Sequence, residues 1–344
     1  MQVILNKEIK MKLNVNLGDN SYDIVIEKGI LQKASEHFDL ERKVLIVTDT
    51  GVPKEYSEKI AHQCKESYIH TIKQGESSKN FENYKEVLSD LINHSFTRTD
   101  CIVAVGGGVV GDLAGFAASS YMRGIDFYNI PTTFLSMVDS SVGGKVAIDF
   151  EGYKNIIGAF YQPKGVLIDP SVLKTLDKRQ LHSGIAESIK MSVTSDKKLF
   201  DILENTTDLN NDIETIIEKS LRVKIDVVEK DPKEKGLRRV LNFGHTIGHA
   251  IESKNGLDSY LHGECVAMGM VPMCSQKIRQ RVIKVLKKYS LPTSFEESFD
   301  DIFPYLKHDK KATENKINIV VCDDIGSFEI MKVEIGELRK YMER

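Results

Sequence analysis

Through the first half of the chain, short runs of β-branched and aromatic residues alternate with segments whose apolar positions recur every three or four residues. That alternation predicts strands and helices taking turns in an α/β domain with a largely parallel sheet. The strand runs are residues 12–17, 22–27, 43–49, 68–72, 101–105, 127–130 and 166–169, and the first two flank Gly18-Asp19-Asn20 as a hairpin. After about residue 178 the texture changes. Long stretches rich in Glu, Lys, Ile and Leu with few breakers predict a mainly α-helical second domain, so the expected division is 1–177 and 178–344. A late pair of runs, 316–321 and 327–331, predicts one more hairpin.

Two helical segments carry charge where their pattern is otherwise apolar. In the segment from Asn211, a stripe of Ile213, Ile216, Ile217, Leu221, Ile225 and Val228 has Lys224 in its middle. An unpaired buried ammonium is costly, so Lys224 should meet a carboxylate or an anionic ligand, or else snorkel out near the helix end. In 183–193 the stripe is Ile185, Ile189 and Val193, while Glu187 and Lys190 sit three apart on another flank. That spacing alone fits a surface ion pair. Arg238, four residues before Asn242, aims into the same region as the histidine segment that follows.

Composition narrows the function classes. With 344 residues, 41% apolar and 28% charged, the chain reads as globular, and its net charge of -3 gives no bulk attraction to nucleic acid or an acidic membrane. An anionic substrate must therefore be held by local basic residues. The apolar run at the N-terminus is too short for a signal peptide or a span, which predicts a cytoplasmic protein. Five cysteines without a C-x-x-C pair argue against a disulfide framework or a zinc–thiolate site.

Three of the nine histidines fall within 245–262. On a helix His245, His249 and Glu252 share one face, and Gly244 and Gly248 let a neighbouring element come close. Lys254-Asn255-Gly256 ends that helix, so His262 can return to the same face from the next one. By spacing the cluster predicts a metal site with His245, His249 and His262 as ligands; the alternative is a solvated or hydrogen-bonded histidine pair. Elsewhere a strand run enters Gly106-Gly107-Gly108-Val109-Val110-Gly111-Asp112 and then a helical pattern over 113–122. Gly106, Gly108 and Gly111 satisfy G-x-G-x-x-G, which fits a pyrophosphate at a helix N-terminus or a tight strand–helix packing turn. The acidic residue usual after the next strand is replaced by Asn129-Ile130-Pro131-Thr132-Thr133, leaving Asp49, on an earlier strand, to hold a ribose. Around 138–163 lysines stand among glycines, as phosphate or carboxylate binding requires and as plain loops also show.

Six blocks then stand in order: 106–116, 131–133, 138–145, Lys154-Asn155, 184–190 and 241–252. By these the chain closely resembles the 3-dehydroquinate synthase family of sugar phosphate cyclases over nearly its whole length. The resemblance implies an α/β N-terminal Rossmann-like domain plus a mainly α-helical C-terminal domain, with the active site in the cleft between them. It also implies tightly held NAD, a divalent ion (zinc or cobalt) and a homodimer. Its metal ligands would be Glu187, His245 and His262, with His249 facing substrate, which departs from the spacing argument. It would place Asp139, Lys145, Asn155, Lys190, Lys224, Arg238, Asn242 and His249 around the substrate. Around NAD it would place Asp49, Glu76, Lys79, Gly107, Gly108, Val109, Asp112, Thr132, Thr133, Lys145, Lys154 and Thr175. Arg123 would reach the phosphate from a partner subunit, and Asp309-Lys310-Lys311 resembles the C-terminal phosphate-binding motif, with Lys310 or Lys311 as its contact.

The implied reaction oxidises the C5 hydroxyl of 3-deoxy-D-arabino-heptulosonate 7-phosphate with NAD, and eliminates phosphate once the C6 proton is acidified. It then re-reduces the ketone, opens the ring and closes 3-dehydroquinate by an intramolecular aldol step of the shikimate pathway. The alternatives are a sister inosose or valiolone cyclase and a metal-dependent polyol dehydrogenase. Asn242, Lys190 and Lys224 favour the dehydroquinate reading, and a dehydrogenase gives no reason for so many cations. The departures at Val146-Ala147-Ile148-Asp149 and before His262 are expected to lie outside the contacts.

Overall fold

Strands that are apolar on both faces must be covered on both. The central ones, β3 (Lys43–Asp49), β5 (Cys101–Gly106) and β6 (Asp126–Pro131), are buried along nearly all their length. The computed structural model, which describes residues 11–256, 259–307 and 315–343, places them in a seven-stranded sheet of order β1-β2-β9-β6-β5-β3-β4. Its other strands are β1 (Met11–Val15), β2 (Tyr22–Ile26), β4 (Glu66–Ile72) and β9 (Gly165–Ile168). β1 and β2 form the expected antiparallel hairpin, and the remaining pairings are parallel. Helices α1 (Lys54–Ala61), α2 (Phe81–Asn93) and α3 (Gly108–Ser120) connect and cover the strands.

Two details depart from the sequence pattern. Residues 145–160, read as a lysine-bearing loop, form a hairpin of β7 (Lys145–Phe150) and β8 (Tyr153–Phe160). Its two-residue turn, Glu151-Gly152, has φ of 51° and 79°, the doubly left-handed backbone that matches strand twist. The second departure is α3, which starts at Gly108 and not at 113. Five of the seven residues of the glycine segment, 108–112, are therefore helix, and Gly107 stands at its N-cap.

The chain divides at Leu176/Asp177 into two compact units. The second unit is helical: α4 (Lys178–Ser195), α5 (Lys197–Asn205), α6 (Leu209–Lys230), α7 (His245–Asn255), α8 (His262–Met273), α9 (Gln276–Lys288), α10 (Phe299–Lys307) and the short α11 (Arg339–Met342). The late hairpin is present as β10 (Lys316–Val321) and β11 (Glu329–Glu334), two residues beyond its expected start on the second strand. Caps set the helix starts. The Asp177 carboxylate accepts from the N–H groups of Arg179 and Gln180, and Asp208 caps α6 through Asn210. α4 packs against α5, α6, α8 and α9, so every residue from Ser183 to Thr194 is buried. Among the described residues no helix is long and apolar enough to cross a membrane.

Candidate active site

The site in the second unit is built by helices that touch backbone to backbone. Gly263, one residue into α8, has no room for a side chain, because a Cβ there would collide with the Ser183 carbonyl of α4; its N–H donates to Ser183 Oγ at 3.1 Å. One turn further along α4 stands Glu187, fully buried. At Gly248 a Cβ would come within 2.7 Å of the Cys265 carbonyl oxygen, so α7 also lies directly on α8. These two approaches bring the first residues of α7 and α8 to the same carboxylate. His245 Nε2 and His262 Nε2 each lie 3.6 Å from Glu187 Oε1. His249 stands one turn along α7 with its ring exposed, and one nitrogen from each of His245, His249 and His262 falls within 4.8 Å of the others.

Glu187 and Lys190 are an ion pair, as their spacing allowed, but a buried one: Lys190 Nζ contacts Glu187 Oε2 and is 1% exposed. The surface alternative fails because α4 is enclosed on its flank as well as along its stripe. Burial opposes ionisation of Glu187, yet the charge of Lys190 and the neighbouring His262 imidazole outweigh it and hold the carboxyl down at about 2. For His262 burial also opposes charge, but the Glu187 and Glu252 carboxylates push it up to about 9. His245 is held well below the ordinary histidine range by burial and by Lys190. Glu187 Oε1 is a buried oxygen without a hydrogen bond, 3.6 Å from two imidazole nitrogens. Two nitrogens and a carboxylate oxygen at that separation suit a borderline divalent cation and leave further coordination positions open.

Lys224 does not snorkel; it is 6% exposed within the apolar stripe of α6. The turn at Leu237–Asn242 packs against α4 and α6, with Val227, Val240 and Leu241 as its apolar anchor. Arg238, 2% exposed, donates from Nη1 to the Pro232 carbonyl at 2.8 Å. Asn242 Nδ2 donates to Glu234 Oε1 at 3.2 Å, and Glu234 itself has a left-handed φ of 56°. Asp231, which no sequence signal singled out, accepts from the N–H groups of Lys235, Gly236 and Arg238 at 2.8, 2.7 and 3.0 Å.

In the first unit the glycine turn feeds α3. Gly111 N–H closes the first helical bond to the Gly107 carbonyl, and Thr132 N–H donates to the Gly106 carbonyl at 2.9 Å. The N–H groups of Gly108 and Val109 thus stand in the first turn of α3, as an anion at a helix N-terminus requires. A Cβ on Gly107 would sit 3.1 Å from Thr133 Cγ2, so Thr132 and Thr133 border the turn. Asp112 pairs with Lys79 at 2.6 Å, and Lys79 also reaches Glu76 at 3.7 Å. Burial pushes the Asp112 carboxyl up to about 6 despite that lysine. Lys79 is raised, because Asp112 and Glu76 outweigh the burial that opposes its charge.

Asp149, in the segment expected to lie outside the ligand contacts, is hydrogen-bonded to two of the candidate residues. Asp149 N–H donates to the Lys79 carbonyl at 2.8 Å, and its Oδ1 accepts from Asn155 N–H at 2.7 Å, fixing Asn155 at a left-handed φ of 51°. The two antiparallel strands of the unforeseen hairpin are what carry Asp149 there. Asp49 accepts from Gly51 N–H at 2.7 Å, and Thr175 is joined to the Tyr56 hydroxyl at 3.0 Å. Neither shares a hydrogen bond or ion pair with the Lys79 group among the described residues. Asp139 lies in a single π-helical turn, Ser136–Ser140, and is half-buried, while Arg123, Lys145 and Lys154 are exposed. Lys310, with Asp309 and Lys311, lies outside the described residues.

Residues 69–183 match the family model described as 3-dehydroquinate synthase N-terminal, and residues 184–312 that described as 3-dehydroquinate synthase C-terminal. A 3-dehydroquinate synthase of Clostridium acetobutylicum is 44% identical, covering 96% of this chain and 98% of its own. Among solved structures, 2-deoxy-scyllo-inosose synthase complexed with carbaglucose-6-phosphate, NAD+ and Co2+ superposes with a TM-score of 0.87 at 24% identity, covering 96% of this chain and 99% of its own. The 2-epi-5-epi-valiolone synthase of Streptomyces hygroscopicus, with NAD+ and Zn2+ bound, reaches 0.85 at 28% identity, covering 94% and 96%.

Proposed function

This chain belongs to the 3-dehydroquinate synthase family, and on that premise we propose how its residues divide the family's reaction. Its activity is the conversion of 3-deoxy-D-arabino-heptulosonate 7-phosphate to 3-dehydroquinate and phosphate, a carbon–oxygen lyase reaction of the shikimate pathway that uses NAD and a divalent ion, zinc or cobalt. The observation that carries this activity is the 44% identity spread over 96% of the chain.

Glu187, His245 and His262 would hold the ion. The support is the buried Glu187 Oε1 with an imidazole Nε2 at 3.6 Å on two sides. The exposed ring of His249 supports its role toward substrate instead. When bound, the ion supplies Lewis acidity and NAD a reversible hydride acceptor. For NAD, the first turn of α3 at Gly107, Gly108 and Val109 would face the pyrophosphate, bordered by Thr132 and Thr133. The linked Glu76, Lys79 and Asp112 would shape the pocket beside that turn; Asp49, Lys145, Lys154 and Thr175 complete the NAD set.

The substrate carries a carboxylate and a phosphate, and the chain meets them with cations that are already dehydrated. Lys190, Lys224 and Arg238 are each at most 6% exposed, so little water is left to strip from them when the anion arrives. Arg238 and Asn242 are aimed by the Asp231 turn, which removes ordering cost from binding. His249 would move a proton at its ring nitrogen, with Asn242 and Asp139 orienting the hydroxyls involved. Asn155, held by Asp149, and Lys310 complete the substrate set. The same reading makes the protein a cytoplasmic homodimer in which the exposed Met122-Arg123 turn, with φ of 48° and 72°, offers its guanidinium to the other subunit's substrate phosphate.

Chelator-treated protein given zinc and substoichiometric NAD should release many phosphates per NAD from 3-deoxy-D-arabino-heptulosonate 7-phosphate, without accumulating NADH and only with metal. Stoichiometric NADH would instead mark a dehydrogenase, and turnover without metal would remove the role given to Glu187, His245 and His262.

A further inference from the structure

Each of the two imidazoles facing Glu187 has an acceptor at its far nitrogen. His245 Nδ1 lies 3.2 Å from the Phe243 carbonyl oxygen, and His262 Nδ1 lies 3.4 Å from Glu252 Oε2. A neutral imidazole has one N–H and one lone pair, and a carbonyl or an ionised carboxylate can only accept. Both Nδ1 atoms therefore carry a hydrogen, and once His262 is neutral, as a metal ligand must be, both Nε2 lone pairs face the same point, 3.6 Å from Glu187 Oε1. The two acceptors differ in kind. His245 is served by its own backbone two residues away, which no side-chain substitution removes. His262 depends on a side chain from another helix, since Glu252 sits on α7 and His262 begins α8. Glu252 also lies on the α7 face that carries His245 and His249, so one helix supplies both a nitrogen donor and the group that orients the donor of its neighbour.

We propose that Glu252 is a positioning residue of the metal centre: it fixes the tautomer and ring direction of His262 without touching the ion. A charged acceptor makes a stronger hydrogen bond than a carbonyl and raises the basicity of the imidazole it holds. His262 needs this more than His245, because its ring is 31% exposed against 12% and is less confined by packing. The inference rests on Glu187, His245 and His262 being the ligands, and the test separates the two claims.

Metal-stripped wild type and variants, free of NAD and substrate, compete for zinc with a chromophoric chelator. Glu252→Ala should bind zinc about 10–100-fold more weakly. Glu252→Gln, whose amide oxygen still accepts from Nδ1–H, should fall between it and wild type, a graded order that general loss of stability does not produce. Glu187→Ala and His262→Ala should bind far more weakly than either; wild-type affinity there would overturn the ligand assignment itself. If those two lose zinc while Glu252→Ala keeps wild-type affinity, only the positioning role is overturned. Should Glu252→Ala fail to fold, long-range 1H–15N correlations on zinc-loaded wild type decide. His262 protonated at Nδ1 and metallated at Nε2 upholds the proposal, whereas a proton on Nε2 or metal at Nδ1 overturns it.

Discussion

Gly263→Ala asks whether the backbone contact between α4 and α8 sets the metal geometry. The new Cβ would lie 2.6 Å from the Ser183 carbonyl carbon and 2.8 Å from Ser183 Oγ, with the carbonyl oxygen closer still. Carbon atoms pack at about 3.5–4.0 Å, so α8 must withdraw from α4 by about 1 Å, and the partner is backbone that cannot swing aside. Overpacking of this kind costs about 1–3 kcal/mol, or roughly 2–12 °C in Tm for a domain of this size. The withdrawal also stretches the His262–Glu187 separation from 3.6 Å to about 4.6 Å. Two ligands of one zinc, bonded at about 2.0–2.2 Å each, cannot stand more than about 4.4 Å apart. Zinc affinity should therefore fall by at least about tenfold, measured by chelator competition beside calorimetric melting. A variant that melts and binds zinc as wild type does would refute the argument that this contact sets the site.

Other expectations follow from the same contacts. Asp231 is buried, which opposes its charge, yet three N–H donors outweigh this and hold its carboxyl below the ordinary 3.8. Its stabilisation is thus present above about pH 4 and lost as the pH falls through the lowered value. Asp231→Asn should be less stable than wild type at neutral pH and converge with it in acid denaturation; a gap that persists at low pH would contradict this. Asp112→Ala leaves Lys79 buried with Glu76, at 3.7 Å, as its nearest carboxylate, so the first unit should lose about 3 kcal/mol in denaturant unfolding. The double change Lys79→Met, Asp112→Leu should recover most of that loss. Zinc at about a hundred times its Kd should stabilise metal-free wild type by about 2.7 kcal/mol, and a similar gain in His262→Ala would count against His262 as a ligand.

The sheet was legible because β3, β5, β6 and β9 are buried on both faces and spell that burial as unbroken apolar runs. The β7–β8 hairpin was not, since β8 is largely exposed and the glycines and lysines spread over 138–163 read as loop. In the site, the helical period brought out His245 and His249, and the break at Gly256 allowed His262 to return. Spacing could not find Glu187, because a carboxylate from a helix far upstream leaves no local periodicity; only the family blocks pointed to it. Burial of Lys190 was hidden for a related reason: a stripe shows one buried face, whereas α4 is covered on all sides from Ser183 to Thr194. Asp231 and Asp149 act through backbone N–H groups, which carry no sequence signature at all. Glu252 was visible as a member of the histidine face, but its contact with His262 depends on how α8 crosses α7.

A helix enclosed on every side also constrains the order of assembly. α4 has no half-packed state in which an apolar stripe is satisfied and a polar face stays wet, so its central turns gain little until α5, α6, α8 and α9 are all in place. These partners extend as far as Lys288 in the chain, and contacts that distant are slow to form. The ammonium of Lys190 and the carboxylate of Glu187 must shed water at that same late stage. The helical unit is thereby built to fold as one cooperative block, with the carboxylate proposed to hold the metal sealed in at the last step.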